Sequence, residues 1–389
     1  MKKLLAVLFA LTLIFSLCTI CASAEEFVTV ELNGAQMDFD VPAQIINDRT
    51  LVPLRGIFET LGATVEWDDA TQTVTAYRDD TSISLQIGSK SLYVNRVLKE
   101  IDVPAQLVND RTLVPARAVA ESFGANVDWD EANQTVIITD ENTPDFKSLF
   151  DKAMNSDDYS SLAAKVTAHM DATADGEAIN MDMDMSLKAT QDPLAMAMEY
   201  AVDVAEEKIS AQMYMVEEDG KVVMYAVAEE DGEKMVVKQE IPMPDNTSLI
   251  SAPQIEDSAI FKVSKQEIID GVNTVKYVYT ITGDDLNAAL KTVDVGGAFG
   301  SAGITTDMFG PDAYAKVYMW IDGESGALYK YSMDMTSIMN DVYKSMGMGS
   351  SMKVDAFVID MEITALSDIE PITVPDDIKK IAVDASDLY

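Results

Sequence analysis

From about residue 161 onward, apolar and polar residues alternate with a period of two. Val166, Ala168 and Met170 alternate, and Ile179, Met181, Met183 and Met185 alternate with Asn180, Asp182 and Asp184. A period of two puts one set of side chains on one face of a strand. The Asp175-Gly176 pair between these runs predicts a hairpin over 164–187. Further strands are predicted at Met196–Val204, Ile209–Val216, Val222–Ala228, Lys234–Gln239, Val272–Thr282, Ala315–Ile321, Ala327–Met335 and Val354–Leu366. Asp219-Gly220, Asp231-Gly232, Asp270-Gly271 and Asp322-Gly323 punctuate them as turns, so the pattern is a sequential antiparallel meander. Ahead of it, Phe146, Leu149, Phe150 and Ala153 fall at helical spacing and predict a short amphipathic helix over Asp145 to Met154.

Residues 28–139 read differently. Val28 to Leu32 alternates and runs into Asn33-Gly34, a tight-turn signal. Asn47-Asp48 is a second turn, followed by a short strand from Arg49 to Val52. Pro53 then opens a helix, where its missing N–H costs nothing. Leu54, Ile57, Phe58 and Leu61 give that helix one apolar face, and Gly62 stops it. Thr64–Trp67 and Thr73–Ala76 form another hairpin. The pattern then recurs at an offset of 62: 22 of 37 positions are identical between 41–77 and 103–139, and Asn47–Pro53 repeats intact as Asn109–Pro115. Such identity implies a duplicated β-β-β-α-β-β unit, with repeats at 28–77 and 90–139.

Composition adds a leader and a boundary. Lys2 and Lys3, the apolar run Leu4–Ile20 and Ala22-Ser23-Ala24 have the layout of a signal peptide, so residues 1–24 are expected to be removed on export. Neither Cys18 nor Cys21 has the small preceding residue of a lipobox. Both cysteines leave with the leader, which removes disulfides, thiolate nucleophiles and Cys-ligated zinc. Six of the eight basic residues between 25 and 144 are Arg, whereas all eighteen beyond are Lys, and 21 of 23 Met lie beyond residue 144. That shift marks two modules, 25–140 and 145–389, joined by the polar stretch Asp140–Pro144. The net charge of −38 opposes binding to nucleic acid, which depends on Lys and Arg neutralising phosphates. The single His169 removes a Ser-His-Asp triad as the default and any multi-His metal site. No phosphate loop or nucleophile elbow is present, so an enzyme is not expected, and no cofactor or metal is implied.

The pattern N-D-R-T-L-V-P-x-R, a helix ending in Gly-Ala, then V-[ED]-W-D, resembles the copper amine oxidase N-terminal-like (stalk) domain, over about 115 residues. The resemblance implies an exported, non-catalytic surface module. Copper chemistry in amine oxidases belongs to a separate domain with His ligands, and no His precedes residue 169 here. Arg49, Arg55, Arg111 and Arg117 could bind an anionic cell-wall polymer. The better reading pairs Arg55 with Glu59 and Arg117 with Glu121 along a helix. Trp67 and Trp129 read as core anchors in preference to sugar platforms.

In the second module, Trp320-Ile321-Asp322-Gly323 through Lys330 resembles the strand–turn–strand of LolA-like and LppX-like exported proteins. The order of helix, long meander and a late strand at Ile372–Pro375 is similar too. The resemblance implies an antiparallel half-barrel wrapped over helices, with an apolar cavity for acyl chains. The fold class expected is therefore α+β, a duplicated module followed by a half-barrel meander with covering helices. Met181, Met183, Met185, Met196, Met198, Met213, Met215, Met333 and Met335 are the candidate cavity lining, because thioethers adapt to varied apolar shapes. The Gly-rich stretches Val295–Gly303 and Ser345–Met352 read as loops, or as apolar lips over a cavity mouth. The expected function is that of a secreted, cell-envelope binding protein. Its partners would be a lipid or other hydrophobic small molecule and a cell-wall component, with no stable membrane span. The alternatives are a structural or adhesive surface protein with a filled core, and Cu(I) binding by Met thioethers.

Overall fold

The computed structural model describes residues 28–154, 160–204, 207–230, 233–241, 261–285, 287, 309–310, 312–345, 347–349, 351–367 and 369–385, with a two-residue ladder between Thr19–Ile20 and Gln254–Ile255. The rest of the expected leader and the Gly-rich stretch Val295–Gly303 lie outside the described residues.

The first module opens with the hairpin β1 (Thr29–Leu32) and β2 (Ala35–Met37), turned by Asn33 and Gly34 at positive φ. A second hairpin, β3 (Gln44–Ile46) and β4 (Arg49–Pro53), turns on Asn47 and Asp48, both also at positive φ. Helix α1 (Leu54–Thr60) follows directly from Pro53. Next come β5 (Thr64–Asp68), β6 (Thr73–Arg78) and β7 (Thr81–Gln86). Elements of the same kind return as β8 (Ser91–Val94), β9 (Val97–Glu100), β10 (Gln106–Val108), β11 (Arg111–Pro115), α2 (Ala116–Ala120), β12 (Asn126–Asp130) and β13 (Thr135–Thr139). Four strands precede each helix rather than three, because the short β3 and β10 carry too few alternating positions to be read from sequence.

These strands interlock. At the centre, β4 and β11 pair antiparallel with Val52 opposite Val114, residues 62 apart in sequence. Arg49 bonds Asp102 at 2.6 Å, and Arg111 bonds Asp40. Strands β12–β13 join β1–β2 through a parallel β13–β1 ladder. Where the segments meet, Arg78 and Asp140 form a buried ion pair at 2.6 Å. Arg78 also donates to the carbonyls of Leu61 and Phe123, the ends of the two helical segments. Arg55–Glu59 and Arg117–Glu121 pair along their helices at 3.8 and 3.7 Å, as the spacing predicts.

Asp140–Pro144 is not a free linker. Asp140 and Thr143 are buried, and the Asn33 side-chain amide donates to the carbonyls of Asp140, Thr143 and Pro144 at 2.9, 2.8 and 3.1 Å. Helix α3 (Phe146–Ala153) starts at once, capped by the Asp145 carboxylate accepting from the Ser148 N–H.

The second module is a long curled antiparallel sheet. Its first half runs β14 (Ser161–Ala174), β15 (Glu177–Gln191), β16 (Leu194–Val204), β17 (Glu207–Glu218), β18 (Lys221–Glu230) and β19 (Glu233–Ile241). Its second half runs β20 (Lys262–Ile269), β21 (Val272–Thr282), β22 (Tyr314–Asp322), β23 (Leu328–Asp334), helix α4 (Thr336–Ser345) and β24 (Met352–Ala365). The halves join where β24 pairs with β14, so the first and last long strands are neighbours and the middle of the chain forms the edges. Strand β20 then pairs in parallel with β2, making one continuous sheet with the first module.

At the opposite end, Ile372–Pro375 is not the expected strand. It is an irregular segment whose Ile372 and Val374 pack, with Ile378 of helix α5 (Asp376–Ile381), against Tyr214, Tyr225, Val227 and Val236. Pro375 at the start of α5 limits strand pairing there. Two residues, β25 (Val383–Asp384), then cap the edge of β19.

Candidate functional site

Strand register assembles the methionine face. Side chains of directly opposed residues lie on the same side of a sheet. One transverse row runs Tyr279, Val317, Met333, Ile359, Ala168, Met183 and Val202. The next runs Met319, Tyr331, Met361, Val166, Met185 and Tyr200, and continues through Ala211 and Ala228 to Met235. Beyond these, Met198 faces Met213, and Met196, Met215 and Met224 stand abreast on three strands. Met181 opposes Met170. Met335 follows β23, its N–H bonded to the Phe357 carbonyl. Eight of the nine predicted methionines therefore share one side of the sheet, and Met335 joins their core cluster.

Their burial is graded. Met183, Met185, Met196, Met198, Met333 and Met335 are buried. Met181, Met213 and Met215 are half-buried, as is Met224, and Met235 is 65% exposed. The cause is partly the helices. Phe150 of α3 stacks on Phe261 with ring centroids 3.9 Å apart, and the Tyr277 hydroxyl donates to the Phe146 carbonyl at 2.7 Å. Burial pushes the Tyr277 phenol far up. Ile338 and Val342 of α4 are buried in the same cluster, and α4 packs on β22 and β24. These two helices thus cover the β21–β24 part of the face.

Met224, Met235 and Tyr200 are face residues that the prediction lacks. A signal for Met224 was present. The Asp219-Gly220 turn closes Glu218 on Lys221, and counting back along both strands brings Met215 opposite Met224.

The other side of this sheet is polar over β14 and β15 and apolar toward β17–β19, where Tyr214, Tyr225, Val227 and Val236 pack under Ile372, Val374 and Ile378. A cavity of about 440 Å³ lies on that side, bordered by Lys165, Thr167, Asp184, Ser186, Glu199 and Gln212. His169 stands near it, its Nδ1 2.6 Å from Asp182 and its Nε2 3.1 Å from Asp171. Hydrogen bonds to these two carboxylates hold the imidazolium above its usual range. Among the described residues, no three acidic, His or Cys side chains converge as a metal site. No helix among them is long and apolar enough to cross a membrane.

A second cavity, about 710 Å³, opens on the first module, bordered by residues 38–40, α1, Trp67 and Asp110–Thr112, with Ser264 of the second module at its rim. The two tryptophans read as core anchors are not buried: Trp67 is 42% and Trp129 41% exposed. Each lies on a two-strand hairpin at the end of a sheet, where few neighbours can cover an indole.

Residues 31–138 match the family described as Copper amine oxidase N-terminal domain. No curated protein matches the chain. Among solved structures, the chain is similar to the Mycobacterium tuberculosis lipoprotein LppX at 14% identity and a TM-score of 0.30, covering 59% of this chain and 99% of that one. It is similar to LprF from Mycobacterium bovis at 12% identity and a TM-score of 0.29, covering 60% and 98%. A putative outer membrane lipoprotein-sorting protein domain from Vibrio parahaemolyticus matches at 10% identity and a TM-score of 0.19, covering 60% and 94%.

Proposed function

We propose that this is an exported, non-catalytic binding protein of the bacterial cell envelope, whose second module takes a hydrophobic ligand against its methionine face. The observation that carries the reading is the gradient along the rows. Buried Met183, Met185, Met196 and Met198 pass into half-buried Met213, Met215 and Met224 and then into exposed Met235. A filled core would close such a face, and an ordinary strand would carry β-branched residues there. Flexible thioethers suit an apolar ligand of variable shape, such as an acyl chain. Residues 1–24 would act as the export signal. The duplicated unit, repeats 28–77 and 90–139, would be a rigid surface module holding the second at its β2–β20 junction. A cell-wall component is its natural partner class.

Native mass spectrometry after mild purification tests the reading, together with uptake of a fluorescent fatty acid. Bound lipid, or saturable uptake weakened by Met213→Asp, is expected. No lipid and no uptake would leave the structural, filled-core reading. A second reading, Cu(I) held by thioethers, draws on Met196, Met215 and Met224 standing abreast on adjacent strands. Titration with Cu(I) under a competing chelator distinguishes it, because fatty-acid uptake does not require the metal.

A further inference from the structure

The cavity on the first module is separate from the methionine face. Its volume of about 710 Å³ is within the range of small-molecule sites. Its walls are unusual in combining an indole with charges of both signs. Trp67 presents 42% of its surface, and exposed Leu107 also lines the cavity. Phe39 forms part of the floor. Its ring lies so close to Gly56 that a Cβ there would meet the ring at 2.8 Å. Gly56 is thus the residue that lets Phe39 lie across the helix; at the positions 62 residues on stand Ile101 and Ala118.

The charges select the ligand class. Arg111 is paired with Asp40, and Arg55 with Glu59 at 3.8 Å. An anion entering the cavity would meet Asp38, Asp40 and Asp110 as well as the arginines. Five carboxylates line the cavity against two guanidinium groups, and a cation reaching Asp40 or Glu59 would have to displace the arginine already paired there. An acyl chain would strip water from both ion pairs without replacing their hydrogen bonds. A neutral ligand with many hydroxyls answers each group: it accepts from the guanidinium groups, donates to the carboxylates and lays its C–H face on the indole. We propose that this cavity binds a neutral oligosaccharide, with Trp67 as the stacking platform and Arg111 and Asp110 as hydrogen-bonding partners.

The experiment is calorimetric titration of the full chain with a neutral N-acetylglucosamine tetramer and with maltotetraose, with tetralysine and hexaglutamate as ionic probes. One-to-one binding of at least one tetrasaccharide is expected, with a change in tryptophan emission. Trp67→Ala should weaken it by roughly tenfold or more, with an unchanged circular dichroism spectrum, and Trp67→Phe should restore most of it. Fatty-acid uptake should be unaffected by either change. Absence of saccharide heat at several millimolar, equal binding by Trp67→Ala, or tighter binding of either ionic probe overturns the proposal.

Discussion

Asp140→Asn removes one charge from the Arg78 node while keeping its shape. In the native protein the two side chains are only 9% and 1% exposed and meet at 2.6 Å. Arg78 also lies 4.9 Å from the Phe123 ring centroid and donates to two backbone carbonyls, all neutral groups. Without Asp140 the guanidinium is a buried cation with no counter-charge, which costs about 3–5 kcal/mol. That is a large share of the roughly 5–15 kcal/mol that holds a domain folded. The sequence offers an internal control. Positions 78 and 140 are 62 apart, as are Leu61 and Phe123. Exchanging the pair, Arg78→Asp with Asp140→Arg, therefore presents the same two charges to the same two carbonyls in reversed order. The exchanged protein should lie within about 1–2 kcal/mol of the parent, since the coupling between contacting residues is restored. Urea unfolding followed by circular dichroism measures the loss. Hydrogen exchange at the amides of Leu51, Val52, Leu113 and Val114 locates it. A loss below about 1 kcal/mol for Asp140→Asn, or an exchanged protein no more stable than either single variant, would refute the reasoning.

Three further outcomes are expected. His169 is the only histidine, so one imidazole resonance reports its titration by NMR; it should titrate above the usual range, and Asp182→Asn should bring it down. Because the native pKa is raised, the stabilisation from this contact is fully present below the unfolded value near 6.5 and is lost as pH rises through the native value. Tyr277→Phe removes the donor to the buried Phe146 carbonyl and should cost about 1–2 kcal/mol in thermal unfolding. Gly62→Ala should cost about 1 kcal/mol, because Gly62 ends α1 at φ +79.

Much of the second module was legible because its strands are long and its turns short. The Asp175-Gly176, Asp219-Gly220 and Asp270-Gly271 pairs all adopt positive φ and close hairpins, although the pattern predicts no strand ahead of Asp270, where β20 runs. The period-two spacing of Met181, Met183 and Met185 placed them on one face. It could not say which strands would lie beside them, because Ala168 meets Ile359 only through a pairing that no turn encodes. The parallel joints β13–β1 and β2–β20 were hidden for the same reason. Helix α4 was overlooked although Ile338, Val342 and Met339 fall at helical spacing, since the preceding strand pattern ran straight into it. Helix α5 also left signals: Pro375 before it, Asp376 and Asp377 in its first turn, Lys379 and Lys380 in its last. The tryptophans were misjudged because an aromatic at a sheet end looks, in one dimension, like an aromatic in the middle.

The pairing of β24 with β14 sets an order of events during biogenesis. A chain emerging from its amino end can form the β14–β19 hairpins early, through local turns. It cannot finish the sheet until its last long strand has arrived. Until then, the backbone groups along one side of β14 have no partner, and a second chain could supply one. Loss of the segment after α4 would make that interim state permanent. Strand β24 thus acts as the closing step of assembly, and truncations that remove it should aggregate rather than merely weaken the fold.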